Sequence, residues 1–169
     1  TQNTAVNYGG GIFYYNAEMK TSKVIVSNNS AANGGGICFH NAQTPLNDVA
    51  IINNVATNNG SAIYTKTSAA PIITNSTITD NISNLGNTIY IYEGNPTFSQ
   101  SNIINDSYGI YNNDNSNLTS AINNYWGHSS GPYHPTQNTA GEGDSVNAFV
   151  TVDPWLTTPN TDAPPIPAQ

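Results

Sequence analysis

The sequence contains no arginine, and its only lysines are Lys20, Lys23 and Lys66. Charged residues make up 8% of the 169 positions, against roughly a quarter in an ordinary soluble domain. With a formal net charge of −7, the chain has nothing with which to neutralise a row of phosphates. That argues against nucleic acid as a partner, and against electrostatic docking on anionic lipid. Long apolar runs are missing too: none approaches the ~20 residues that a spanning helix needs. The single cysteine, Cys38, excludes an internal disulfide and leaves the compartment open. The opening "TQNTAVNYGG" has neither Met nor the basic segment of a secretory signal, so the expectation is a mature protein or an excised fragment.

What is present in place of charge is Asn (28 residues), Thr (19) and Gly (14). An Asn amide competes for backbone hydrogen bonds and disfavours helix interiors, so an all-β chain is expected. Its order emerges from self-comparison. "YGGGIFYYNA" at residues 8–17 returns as "NGGGICFHNA" at 33–42. The isoleucine after each glycine-bearing turn falls at Ile12, Ile37, Ile63, Ile89 and Ile110, in steps of 25, 26, 26 and 21. A second column holds Val26, Ile51, Ile78, Ile103 and Ile122. Two residues after it come Asn28, Asn53, Asp80, Asn105 and Asn124, and a fourth column is Pro45, Pro71 and Pro96.

Within each repeat the apolar spacing is two, as in "VIVSNN" and "STITDN", which marks short strands separated by polar turns. A coil of about 25 residues cannot bury its inner face alone, so coils stack. Like residues then lie about 4.8 Å apart, and the Asn column is expected to form an amide ladder. An immunoglobulin-like sandwich would show regular hairpins and no columns. The expectation is a parallel β-solenoid: about five coils over residues 1–124, a cap over 125–156, and a Pro-rich linker toward a further module over 157–169.

The repeats resemble those of right-handed parallel β-helix proteins, the pectate-lyase-like superfold. "GGGI" followed later by Asn-x-x-Ala is similar to repeats of bacterial surface and autotransported members. The run "AINNYWGHSSGPYHP", then "GEGDSV", then "VDPWL" resembles a closing segment common in bacterial secreted β-helix proteins. The resemblance implies that this segment ends the helix. The last coil would otherwise expose an unpaired strand edge. Trp126 and Trp155 are expected to cover it, with Pro132, Pro135 and Pro154 blocking further pairing. It also implies a secreted or cell-surface protein in which the linker leads to another module.

Alternation places Ile12 and Tyr14, Ile37 and Phe39, Ile63 and Thr65, and Ile89 and Ile91 inward. Phe13, Cys38, Tyr64, Tyr90 and Tyr111 then form an outward column, beside Tyr15, His40, Lys66, Tyr92 and Asn113. Tyr joins a flat apolar body to a polar tip, so Tyr15, Tyr64, Tyr90, Tyr92 and Tyr111 are candidate ligand-binding residues, with polysaccharide as the candidate ligand. Cross-strand stacking and lateral packing on another domain or copy are the competing readings of the same stripe.

The superfold hosts polysaccharide lyases and hydrolases. Its lyases generally use an Arg or Lys base with carboxylate-bound calcium, and arginine is absent here. A glycosidase needs two carboxylates about 5 to 9.5 Å apart. The best pairs are Asp80 with Asp106, and Glu93 with Asp114. Calcium is the ion those pairs would hold; no other cofactor is implied. His128, His134, Glu142 and Asp144 cluster in the cap with ligand types that suit zinc, but without a tight metal spacing. Taken together, the sequence reads as a non-catalytic structural or adhesive module, extracellular or on the cell surface. The alternatives are a self-assembling surface filament or scaffold subunit, and a fragment of a polysaccharide lyase or hydrolase.

Overall fold

The computed structural model describes residues 1–105 and 108–166. Each coil contributes up to four short strands. The first coil holds β1 (Ile12–Tyr15), β2 (Thr21–Ser22), β3 (Ile25–Ser27) and β4 (Ser30–Asn33). The second holds β5 (Ile37–His40), β6 (Leu46–Asn47), β7 (Ala50–Ile52) and β8 (Val55–Asn59). The third holds β9 (Ile63–Lys66), β10 (Ile72–Thr74), β11 (Thr77–Thr79) and β12 (Ile82–Ser83). Then come β13 (Ile89–Ile91), β14 (Thr97–Ser99) and β15 (Asn102–Ile104), followed by β16 (Ile110–Asn112), β17 (Thr119–Ser120) and β18 (Val150–Thr151).

Strands from successive coils pair in parallel to form four sheets. The first sheet runs β1-β5-β9-β13-β16, the second β2-β6-β10-β14-β17-β18, the third β3-β7-β11-β15 and the fourth β4-β8-β12. The result is an all-β parallel solenoid of about four turns rather than five, because the chain leaves the coil path after β17 and returns only as the cap.

The isoleucine anchors stack as expected: Ile12, Ile37, Ile63, Ile89 and Ile110 are successive register partners. Ile37, Ile63, Ile89 and Ile110 are fully buried, each stabilising the fold by roughly 1.5–3 kcal/mol of transfer free energy. Tyr14 and Phe39 follow on the same inner face with rings 5.1 Å apart. The third-sheet column runs Val26, Ile51, Ile78, Ile103. Its next member is Trp126 rather than Ile122, since Asn102 pairs with Tyr125. Pro71 and Pro96 share one column, whereas Pro45 sits one residue late, in register with Ile72.

The ladder lies one residue beyond the expected column. Asn28, Asn53, Asp80 and Asn105 have φ of 55–59° and form a left-handed corner, a conformation that Asn and Asp tolerate better than other side chains. The turn they make swings the following residue inward, so Asn29, Asn54 and Asn81 are the buried ones. Asn54 Oδ1 accepts from both the backbone N and Nδ2 of Asn29, at 3.0 and 2.9 Å. Asn81 Oδ1 does the same for Asn54. Asn124 belongs to a different run, at the corner between the second and third sheets, where it accepts from Ser101 N while Ser101 Oγ accepts from Ser76 N.

The glycine triplet divides its work. Gly34 has φ of +67°, open to glycine without steric cost. Gly35 does not. A Cβ there would lie 2.3 Å from Val55 O, so the second glycine is required by the close approach of the next coil. Coils are closed at the far end by residues 125–151: Val146 pairs beyond Ile110, β18 pairs beyond β17, and Trp126 follows Ile103. Trp126, Val146, Val150 and Val152 are all fully buried. Trp155 packs on this core and against Gly131, where a Cβ would meet its ring at 2.5 Å.

Candidate functional site

The outward column of the first sheet is in register as expected: Phe13, Cys38, Tyr64, Tyr90 and Tyr111 are successive partners. Parallel pairing with no register shift brings the rings face to face. Tyr64 and Tyr90 have centroids 5.7 Å apart at 8°, and Tyr90 and Tyr111 are 5.6 Å apart at 5°. Tyr92 stacks beside Tyr64 at 6.3 Å and 14°. At the other end Phe13 leans on Tyr15 and His40, and His40 meets Tyr15 edge-on at 4.9 Å.

Cys38 interrupts this stack with a small side chain. One tier without a ring leaves a gap of about 10 Å between Phe13 and Tyr64. Tyr8 fills it from the corner before β1, 6.4 Å from the Phe13 ring and 5.8 Å from that of Tyr64. Lys66 Nζ lies 4.3 Å from the Tyr8 centroid, a cation–π contact that holds Tyr8 in place. Cys38 is therefore fully buried although it points away from the core. Burial pushes its thiol up to about 12, with Lys66 opposing that shift. Tyr64 is raised first by desolvation, then by the neighbouring phenols of Tyr8 and Tyr90. Tyr108, which leans on Tyr111 at 5.8 Å, and Tyr8 were not among the sequence candidates. Both lie at corners, where alternation along a strand says nothing about direction.

The five candidate tyrosines thus share one surface but differ in access. Tyr15 is 60% and Tyr92 45% exposed, whereas Tyr64 is 6% exposed. Tyr90 and Tyr111 are half-buried. Faces of the central rings cover one another, so this part of the array offers edges and hydroxyls, and open ring surface is concentrated at Phe13, Tyr15 and Tyr92.

Three of the four candidate carboxylates are described, and each of the three is engaged locally. Glu93 Oε2 accepts from Thr67 N at 3.1 Å. Asp114 accepts from the side chains of Ser116 and Asn117, which hold its carboxyl below the usual range. Asp80 accepts from Thr79 Oγ1 at 3.0 Å; Asp106 lies outside the described residues. In the cap, His128 Nε2 is 3.6 Å from Glu142, while His134 points elsewhere. Its Nδ1 accepts from Thr136 N and Gln137 N, which leaves Nε2–H to donate to Val150 O at 2.9 Å. The ring braces the final strand. Among the described residues no three His, Cys, Asp or Glu side chains converge as a metal site.

A columnar inner face, parallel pairing in all four sheets and a closing tier define a parallel β-helix. A family model for the right-handed β-helix region matches residues 1–143, and the chain belongs to that family. Neither a search of curated proteins nor one of solved structures returned a match.

Proposed function

We propose that this chain is a structural and adhesive module of a protein on or outside the cell surface, and that it engages carbohydrate along the aromatic face of the first sheet. The observation that carries this reading is a rigid row of rings flanked by exposed ones, Tyr15 at 60% and Tyr92 at 45%. Stacking fixes the rings before a ligand arrives, so little side-chain entropy remains to be lost on binding. A sugar ring offers an apolar C–H face and a polar rim, which suits a phenol body with a polar tip. Tyr15 and Tyr92 bear the ligand in this reading, Tyr90 and Tyr111 offer hydroxyls, and Tyr64 holds the row together. The charge of −7 favours a neutral polysaccharide over an anionic one.

Affinity gels loaded with neutral polysaccharides test this. Retarded migration of the wild type and its loss in Tyr15→Ala/Tyr92→Ala is the expected result. Equal migration of both proteins across a broad glycan panel overturns it, and leaves the row as cross-strand stabilisation. That reading is favoured by the near-parallel Tyr64, Tyr90 and Tyr111 rings.

A further inference from the structure

On the third sheet Val26, Ile51, Ile78 and Ile103 face the core, so Ile25, Ala50, Thr77 and Asn102 face out. Their exposure falls sharply along the stack. Ile25 is 66% exposed, while Ala50, Thr77 and Asn102 are buried. The covering layer is the segment expected as a Pro-rich linker, which turns back along the coils after Leu156.

Its seating is specific. The Asn102 carboxamide reads both backbone groups of Asn160: Oδ1 accepts from Asn160 N at 2.8 Å, and Nδ2 donates to Asn160 O at 3.1 Å. Asn160 Nδ2 donates in turn to Gln100 O at 2.6 Å and reaches Asn75 Oδ1 at 3.4 Å. Four residues on and one coil back, Thr77 Oγ1 donates to Pro164 O. Ala163 between them is buried. Pro164 and Pro165 then border a groove that continues over Lys23, Val24, Ile25, Asp48, Ala50 and Ile52. The polar contacts are mostly to the main chain, the proline rings need no donor, and the track advances one coil per four residues. These are the properties of a site that reads the main chain of a segment turning at residues 160–163.

We infer that the outer face of the third sheet is a docking groove for a turned, proline-bearing polypeptide segment, with Asn102 as its main-chain clasp. In this chain residues 159–166 occupy it in cis. The partner is a segment of that same chemistry, argued from continuity: the open end of the groove begins where Pro165 lies. A tethered occupant competes at an effective concentration on the order of millimolar, so a free peptide reaches the groove only when the tether's own grip is weakened.

The test uses the full chain and a synthetic peptide of residues 157–166, TTPNTDAPPI. Asn160→Ala weakens the tethered segment and leaves the groove intact. Titration followed by amide shifts is expected to perturb the Asn102 side chain, Thr77 and Ile25 in Asn160→Ala. Apparent affinity should be at least about tenfold weaker in the wild type, where the cis occupant competes. The double variant Asn102→Ala/Asn160→Ala is expected to lose the response while keeping first-sheet shifts. Equal binding to wild type and Asn160→Ala, shifts elsewhere, or no shifts at all would overturn the proposal. A second measurement stands apart from folding of the variants. The Asn160 amide in the wild type should exchange with solvent far more slowly than that of Thr158, and exchange at an unstructured rate also overturns it.

Discussion

Trp126 follows Ile103 in the inward column of the third sheet, as the parallel pairing of Asn102 with Tyr125 requires. The column Val26, Ile51, Ile78, Ile103 therefore ends in an indole that is fully buried. Val146 performs the equivalent step beyond Ile110, and β18 beyond β17. The cap is thus a last tier assembled out of chain order: third-sheet position first, then first sheet, then second. A bulky last tier closes the apolar cross-section, and the loops that carry it cover the pairing edge.

Removal of that indole is expected to be costly. Trp126→Ala should lower stability by about 3–5 kcal/mol, read as the midpoint shift in urea unfolding. Trp126→Phe should cost much less. The indole Nε1–H has no hydrogen-bond partner among the described residues, so replacing it removes an unsatisfied polar group along with some apolar area. Equal losses for the two variants would show that the indole nitrogen is paired after all.

Asn54 sits at the centre of the amide ladder. Its oxygen accepts two hydrogen bonds from Asn29, and its Nδ2 donates to Val26 O at 2.9 Å and to Asn81 Oδ1. Asn54→Ala strands donors and an acceptor in a fully buried site, at a cost of about 3 kcal/mol. Asn53→Ala, one residue earlier, loses only the left-handed preference of an exposed corner and should cost about 1 kcal/mol. Thermal unfolding of the two variants checks the order; the reverse order would place the ladder at Asn53.

That one-residue offset shows what the sequence makes legible. Column period and strand alternation fixed the stack of Ile12, Ile37, Ile63, Ile89 and Ile110, and with it the outward register from Phe13 to Tyr111. They rest on translation from coil to coil, which survives any corner geometry. The ladder position, the true successor of Ile103, and the placement of Tyr8 over Cys38 all depend on corners. There a single residue at positive φ rotates everything after it. Asn is the residue of both jobs, corner and ladder, so composition alone assigns neither. The seat of Asn160 on Asn102 spans 58 residues and leaves no periodic trace.

The second glycine of the triplet is expected to be the least replaceable. Gly35→Ala puts a methyl group 2.3 Å from Val55 O and 2.7 Å from Ser61 O. Both are backbone atoms that no side-chain rotation can clear. Coil separation must grow locally, and a loss of more than about 2 kcal/mol is expected. Gly86→Ala is the control: its φ is +81° but nothing lies within 4 Å of the added carbon, so only the conformational term of about 1 kcal/mol remains. Denaturant midpoints that rank Gly86→Ala as the more damaging would mean that backbone conformation, not coil spacing, governs the corners.

Cys38 supplies a pH dependence with a definite sign. Its thiol is pushed from an ordinary 9.0 to about 12 in the folded chain, first by burial beneath the aromatic row. Between those values the unfolded chain has released the proton and the folded chain has not. The unfolded state therefore binds fewer protons, and stability falls as pH rises from about 9 toward 12. Tyr64 and Tyr90 are raised by the same burial and act in the same direction at higher pH. Urea midpoints measured from pH 8 to 11 should decline, and Cys38→Ala should flatten the part of the slope that begins near pH 9. At pH 8.5 the thiol should resist alkylation in the folded chain and react once unfolded, because the thiolate is the nucleophile. Tyr8→Ala should speed alkylation in the folded chain by uncovering the sulfur; an unchanged rate would mean that Tyr8 is not the lid over Cys38.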